Sequence, residues 1–353
     1  MTAQAWTDPD RRNELTGMGR LGRALDQVMS KSIGELGKLH GTAAAYLSIA
    51  RLDHSTKHIF IVPGIMLAYL LRGVHTPSLA KSFLLGLIAA ICIASANYVI
   101  NEWFDREFDK FHPDKSRRAA VRTQLNGNII FLEWAGLVAV GLLCALAAST
   151  IMFLVAAVFA LQGLIYNIPP VRSKDKAYLD VISESINNPL RLMIGWAMVD
   201  PTTLPPSSII LMYWAGGAFL MAAKRLSEFR EITASHGRDL LERYRASFVG
   251  YSEVSLTVSC FVFALIASFF LAVFLIKYRI EYLLTVPVVI ALFAHYLALS
   301  MQPQSSAQKP EKLYKERALI ALVGLLAVTF LMATYVNIPA LEALSAQKYI
   351  SLQ

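Results

Sequence analysis

The stretch "SFLLGLIAAICIASANYVI", residues 82–100, carries no charged residue over 19 positions. As a helix, a run that long crosses about 30 Å of hydrocarbon, and a helix satisfies its own backbone polar groups, as lipid demands. Comparable blocks recur near 58–72, 129–147, 149–166, 179–199, 207–223, 254–276, 281–300 and 318–337. The chain is therefore predicted to be all-α and polytopic, with about nine transmembrane helices. Its 353 residues are 56% hydrophobic and 16% charged, whereas soluble domains hold about 25% charge. That balance excludes a soluble enzyme. Cys92, Cys144 and Cys260 fall inside the apolar blocks without metal or disulfide spacing, so they read as small core residues.

A net charge of +8 would suit nucleic acid, but its distribution argues otherwise. Of the 33 Lys and Arg residues, 27 lie in the N-terminal segment or in the loops after the second, fourth, sixth and eighth spans. Such bias marks the cytoplasmic side of a membrane protein. The reading is an integral protein of the bacterial inner (plasma) membrane, with a cytoplasmic N-terminus, contact with membrane lipids and no nucleic-acid partner. Residues 1–50 lack an early apolar core and are expected to form a cytoplasmic extension. Within it, "LGRALDQVMSKSIGELGKL" has the spacing of an interfacial amphipathic helix. Residues 51–340 form the membrane domain and 341–353 a short tail. A homo-oligomer is left open.

Directly after the run 82–100 comes "NEWFDREFDK". Asn101, Asp105 and Asp109 stand at i, i+4 and i+8, each step rising about 6 Å and turning about 40°, so all three share one helix face. Two carboxylates and an amide oxygen make a hard oxygen site suited to Mg2+, which takes one or two carboxylates and completes its shell with water and phosphate. The plainer reading has these acids solvate a helix end by pairing with Arg106 and Lys110. The shared face argues against it, and "HPDKSRR" next supplies Lys115, Arg117 and Arg118, suited to phosphate oxygens.

This Asn-x-x-x-Asp-x-x-x-Asp segment resembles the first aspartate motif of the UbiA family of membrane prenyltransferases. "YNIPPVRSK" is similar to that family's Tyr-x-x-Pro-Pro-x-Arg-x-Lys loop, at Tyr166, Pro169, Pro170, Arg172 and Lys174. The resemblance covers roughly residues 50–340. It implies a helical bundle around a lipid-open cavity, where a magnesium-bound diphosphate is ionised and a polyprenyl group joins an acceptor. On that footing Asp105, Asp109 and Asn101 hold Mg2+, while Lys115, Arg118, Arg172 and Lys174 hold phosphates. Tyr166 shields the reacting carbon. The implied partners are a polyprenyl lipid substrate and a diphosphate donor.

The family's second Asp-x-x-x-Asp motif is missing. "MAAKRLSEFREI" offers Lys224, Arg225 and Glu228 instead, with Glu228 as a replacement carboxylate. "AKRLSE", "HPDKSRR" and "LDHSTKH" look more like the branch containing decaprenyl-phosphate phosphoribosyltransferase. That branch implies phosphoribosyl transfer from phosphoribosyl diphosphate to a polyprenyl phosphate. In the fifth span, Asp180, Glu184, Asn187, Asn188 and Arg191 form a polar stripe expected to line the cavity, with Glu184 and Asn188 as binding residues and Asp180 and Asn188 nearest the entrance. Charged stripes also line transport paths, so a transporter is the rival of another class. Lys57, with His54 and His58, is placed to reach phosphate, and His295 reads as a core histidine.

Overall fold

The computed structural model describes residues 43–113, 115–303, 305–308, 313 and 315–345. The amphipathic segment expected before residue 40 and residues 346–353 lie outside them. Among the described residues the secondary structure is entirely helical. Its principal helices are α1 (Val62–Arg72), α2 (Leu79–Asp109), α3 (Gly127–Ala148), α4 (Thr150–Asn167), α5 (Leu179–Ser185), α6 (Asn187–Val199), α7 (Ser207–His236), α8 (Arg238–Tyr244), α9 (Glu253–Tyr278), α10 (Val286–Ser300) and α11 (Arg317–Tyr335).

Among the described residues, seven helical segments are long and apolar enough to cross a membrane: α2, α3, α4, α7, α9, Ile280–Ser300 and α11. The expected first and fifth spans are each broken into shorter pieces, so nine continuous membrane-length helices are not found among the described residues. A 3-10 segment, Leu52–Ile61, precedes the eleven residues of α1, with Pro63 in the first turn. The fifth span divides at Ile186 into α5 and α6, with Pro189 in the first turn of α6. Proline has no N–H to donate and clashes with the preceding turn, which ends a helix on its N-terminal side.

Close backbone approach holds the broken spans in the bundle. A Cβ added at Gly64 would lie 2.0 Å from the Leu192 carbonyl oxygen, and one at Gly195 would lie 2.1 Å from that of Ile61. Small residues at facing positions let α1 and α6 touch backbone to backbone, which favours association in lipid, where apolar burial gives little drive. Outward faces are apolar: Leu132 and Leu143 on α3, Phe261 and Phe269 on α9 and Met332 on α11 are all exposed. α11 buries only Leu319 and Ala333 among its residues.

α2 and α7 are the two longest helices, at 31 and 30 residues. At 1.5 Å per residue each reaches about 45 Å, beyond the roughly 30 Å apolar layer. Their surplus length is polar. The C-terminal ends of α2 and α7 come together on the same end of the bundle, where the site lies.

Candidate active site

The ends of α2, α4 and α7, with His112, Lys115, Arg117, Arg118 and Lys174 from the connecting loops, enclose a cavity of about 480 Å³. Asn101 and Asp105 reach its wall from α2, and Tyr166 from α4. Lys174 and Lys115 reach it from the loops, as does Arg118. Glu184, Arg225 and Glu228 complete the predicted residues that line it. Ten Lys and Arg side chains line the cavity against three carboxylates, Asp105, Glu184 and Glu228. Such an excess suits a polyanion.

Asp105 is the carboxylate at the centre of the predicted motif. Its Oδ1 lies 2.5 Å from Lys174 Nζ and 2.9 Å from Arg172 Nη2. Lys174 Nζ also donates to Asn167 Oδ1 at 2.8 Å, and Asn101 Nδ2 donates to the same oxygen at 2.7 Å. One buried lysine thus ties together the α2 motif and the end of α4. Burial pushes Lys174 down to about 8, against the opposing pull of Asp105. Arg172 is held with left-handed backbone, φ 25°, a conformation that costs roughly 1–3 kcal/mol and persists where surroundings over-determine it. Its surroundings do so: Arg172 also donates to Asp175 Oδ2 at 2.6 Å and to the Asn167 carbonyl at 3.1 Å.

Asp109 stands one turn beyond Asp105 but is only 4% exposed and is not on the cavity wall. Its Oδ2 accepts from Arg118 Nη1 at 2.6 Å, and the same nitrogen lies 3.0 Å from Glu102 Oε1. The shared face is present, but Arg118 draws Asp109 behind the wall. Arg106, Glu107 and Lys110 turn away and pair with one another at the surface.

The motif supplies hard oxygen donors. Asn101 donates with its nitrogen, which leaves the amide oxygen as acceptor, and both cations on Asp105 sit on Oδ1, so that Oδ2 has no hydrogen bond to a described residue. Among the described residues no three His, Cys, Asp or Glu side chains are grouped for a metal. A divalent cation here therefore draws most of its shell from phosphate and water, as Mg2+ commonly does. The donor set fits.

Across the cavity, the position of the missing second motif is an ion-pair network. Arg225 Nε lies 2.9 Å from Asp180 Oδ2, and Arg225 Nη1 lies 3.0 Å from Glu228 Oε2. Glu228 Oε1 accepts from Tyr244 OH at 2.8 Å and stands 3.7 Å from Lys115 Nζ. Arg245, from the segment after α8, donates to Tyr166 OH at 2.8 Å. Burial opposes the charge of Arg245, but Tyr166, Asp180 and Glu228 outweigh it and hold its pKa well above the usual value. Burial lowers the pKa of Lys115 and of His112.

The fifth-span stripe is corrected. The helix divides at Ile186, and only three of the five members line the cavity. Asp180 is fully buried, bound to Arg225, Ser247 and Tyr251, rather than standing at an entrance. Asn188 is off the cavity wall, packed against Gly217, where an added Cβ would fall 2.1 Å from Nδ2. Glu184, Asn187 and Arg191 do line the cavity. Arg172 likewise stands behind the wall, acting through Asp105. Sequence reasoning missed Asn167 and Arg245 as site residues. Asn167 sits inside the quoted loop motif, whereas Arg245 lies among other basic residues with nothing in its spacing to single it out.

The profile of the UbiA prenyltransferase family matches residues 61–323. The chain is 27% identical over 152 residues to nodulation protein NoeC of Azorhizobium caulinodans, a match covering 43% of this chain and 48% of that protein. It is 24% identical over 171 residues to protoheme IX farnesyltransferase of Geobacillus kaustophilus, covering 47% of this chain and 55% of that protein. The chain thus spans about half the length of these curated relatives. In structure it is similar to a UbiA homolog from Archaeoglobus fulgidus bound to GPP and Mg2+, with a TM-score of 0.62 and 19% identity, over 83% of this chain and 100% of that one. At that identity the likeness carries the fold.

Proposed function

This chain belongs to the UbiA prenyltransferase family, and from that premise we propose that it transfers a prenyl group from a magnesium-bound diphosphate to an acceptor within the membrane. The observation that carries the reading is the cavity itself: Asn101 and Asp105 share a wall with ten cationic side chains, opening among apolar helices.

Magnesium, when bound, neutralises charge on the diphosphate oxygens as they leave. Asp105 and Asn101 are the cavity-wall residues that would hold it, and Asp109 would support them from behind through Arg118. Lys174, Lys115 and Arg118 bind and orient the phosphate oxygens, and Arg172 keeps Asp105 in place. Loss of diphosphate leaves an allylic cation that water would quench. Ala94, Phe159 and Met221 on the cavity wall exclude water. The Tyr166 ring, 5.7 Å from Lys174 Nζ, offers a π face to a positive centre. The basic loops support a cytoplasmic N-terminus and site in a bacterial plasma membrane.

Purified protein in detergent, given Mg2+ and labelled prenyl diphosphates with aromatic and lipid acceptors, is expected to form a prenylated product. Asp105→Ala is expected to abolish turnover. Product formation undiminished in that variant would overturn the assignment of Asp105. A fusion of a cytoplasm-dependent reporter to the N-terminus checks the topology.

A further inference from the structure

The two sides of the cavity differ in what they offer a diphosphate. On the α2 side, Asn101 and Asp105 supply oxygen donors suited to one divalent cation. On the α7 side the wall carboxylate is Glu228, and both its oxygens are engaged. Oε2 accepts from Arg225 Nη1 at 3.0 Å; Oε1 accepts from Tyr244 OH at 2.8 Å and lies 3.6 Å from His112 Nε2 and 3.7 Å from Lys115 Nζ. Asp180 stands behind that wall, fully buried. Its Oδ1 accepts from Tyr251 OH at 2.7 Å, and its Oδ2 from Arg225 Nε at 2.9 Å and Ser247 Oγ at 3.1 Å. A divalent cation could bind these carboxylates only by displacing the buried guanidinium they share, which would leave that charge uncompensated. The α7 side does not fit a metal.

It already carries the charge of one. Lys115, Lys224, Arg225 and Arg245 interact electrostatically with one another or with Asp180 and Glu228, so four cations against two carboxylates leave two positive charges in excess. Of these cations, Arg245 is held from two helices. Tyr166 OH on α4 accepts from its Nη2 at 2.8 Å, and Asp180 Oδ2 on α5 lies 3.7 Å from its Nε. That buried Nε has no hydrogen-bond partner. A guanidinium carries five N–H groups in a fork that matches phosphate oxygens, and the bond to Tyr166 uses one of them. Arg245 lines the cavity and also interacts electrostatically with Asp105 of the α2 side. A diphosphate at Asp105 therefore lies within its influence.

Resting on the transferase reading above, we propose that this site works with a single divalent cation, and that Arg245, beside Lys115, is the catalytic residue that takes the place of a second one. When the bond between the first prenyl carbon and the diphosphate oxygen breaks, the electron pair stays on that oxygen and no proton moves. The leaving diphosphate bears about one more negative charge than the bound ester, and Arg245 donates to the oxygens where that charge develops. Tyr166 and Asp180 hold the guanidinium in place beforehand, so it needs little reorganisation as the bond breaks.

The test counts metals. Full-length protein in detergent, in excess over geranyl S-thiolodiphosphate, a slowly ionising analogue, is given Mn2+ in place of Mg2+, and the spin-resonance spectrum of the bound ion is recorded. One magnetically isolated Mn2+ per bound analogue is expected. Two coupled ions about 4 Å apart, the spacing of two-metal sites, overturn the inference. At saturating Mg2+, Arg245→Gln is expected to weaken geranyl diphosphate binding by about ten- to hundredfold, the worth of a charge-assisted bond. Arg245→Lys keeps the charge without the fork and is expected to recover part of that loss. Unchanged affinity in Arg245→Gln, with its fold checked by thermal unfolding, also overturns the inference; if that variant does not fold, the metal count decides alone. Either overturning result, obtained with geranyl diphosphate bound, leaves the transferase reading standing. A wild-type chain that binds no geranyl diphosphate overturns that reading, and the inference with it.

Discussion

Lys174 places its ammonium 2.5 Å from Asp105 Oδ1, so the carboxylate that faces the cavity is already neutralised by a buried cation. The pair links two segments 69 residues apart in the chain, and incoming magnesium and diphosphate meet an anion and a cation held side by side. Since burial lowers Lys174 to about 8, its charge is complete only below that pH. Affinity for a prenyl diphosphate is therefore expected to fall as pH rises through about 8, and Lys174→Arg is expected to flatten that limb, because arginine stays protonated. Stability moves the other way. The unfolded chain keeps this proton up to the ordinary 10.5, so between about 8 and 10.5 it binds more protons than the folded protein, and this group's contribution rises with pH. Calorimetric titrations and thermal unfolding between pH 7 and 9.5 check both signs.

Arg225 sits between Asp180 and Glu228 with almost no exposure on any of the three. Arg225→Ala leaves two buried carboxylates without their shared cation and is expected to lower unfolding free energy by roughly 3–5 kcal/mol. Arg230→Ala, which breaks a solvent-exposed pair with Glu253, is expected to cost less than about 1 kcal/mol. Unfolding of both variants in the same detergent makes the comparison. Equal losses would mean that the Arg225 network is no more than a surface pair.

At the α1–α6 crossing, Gly195→Ala drives a methyl group against the Ile61 carbonyl oxygen. The backbone has to move, and a loss of about 1–3 kcal/mol is expected, as for overpacked cores. Gly136→Ala on α3 meets open space and is expected to be neutral or to stabilise by up to ~1 kcal/mol through helix propensity. Melting temperatures of the two variants are the measurement.

Tyr166 carries two separable groups, a ring on the cavity wall and a hydroxyl that accepts from Arg245. If the ring shields the reacting cation, Tyr166→Ala slows turnover by a further ~3- to 30-fold relative to Tyr166→Phe, the range of a cation–π contact. Diphosphate affinity is expected to be similar in both. Steady-state turnover with binding measured in parallel separates these effects, and identical rates in the two variants would remove the ring from the mechanism.

Much of the site was legible because helical spacing carries three-dimensional information within one element. Asn101, Asp105 and Asp109 share a face of α2, and the "YNIPPVRSK" loop delivers Lys174 to that face. What spacing could not show is which of those side chains reaches the cavity. Asp109 is drawn behind the wall by Arg118 and Glu102, and that choice depends on partners outside the repeat. The stripe from Asp180 to Arg191 failed for a similar reason. The helix breaks at Ile186, and long-range partners decide the rest: Asp180 is buried against Arg225 and Asn188 packs against Gly217, while Glu184, Asn187 and Arg191 keep to the cavity wall.

By itself the sequence determined a polytopic helical membrane protein. A helix satisfies its own backbone polar groups in hydrocarbon, and long apolar helices are written in local composition. The tertiary structure decided how the charges pair: Lys174 with Asp105, Arg118 with Asp109, and Arg225 with Asp180 and Glu228. Coulomb energy depends on distances between elements far apart in the chain, and only packing sets those distances.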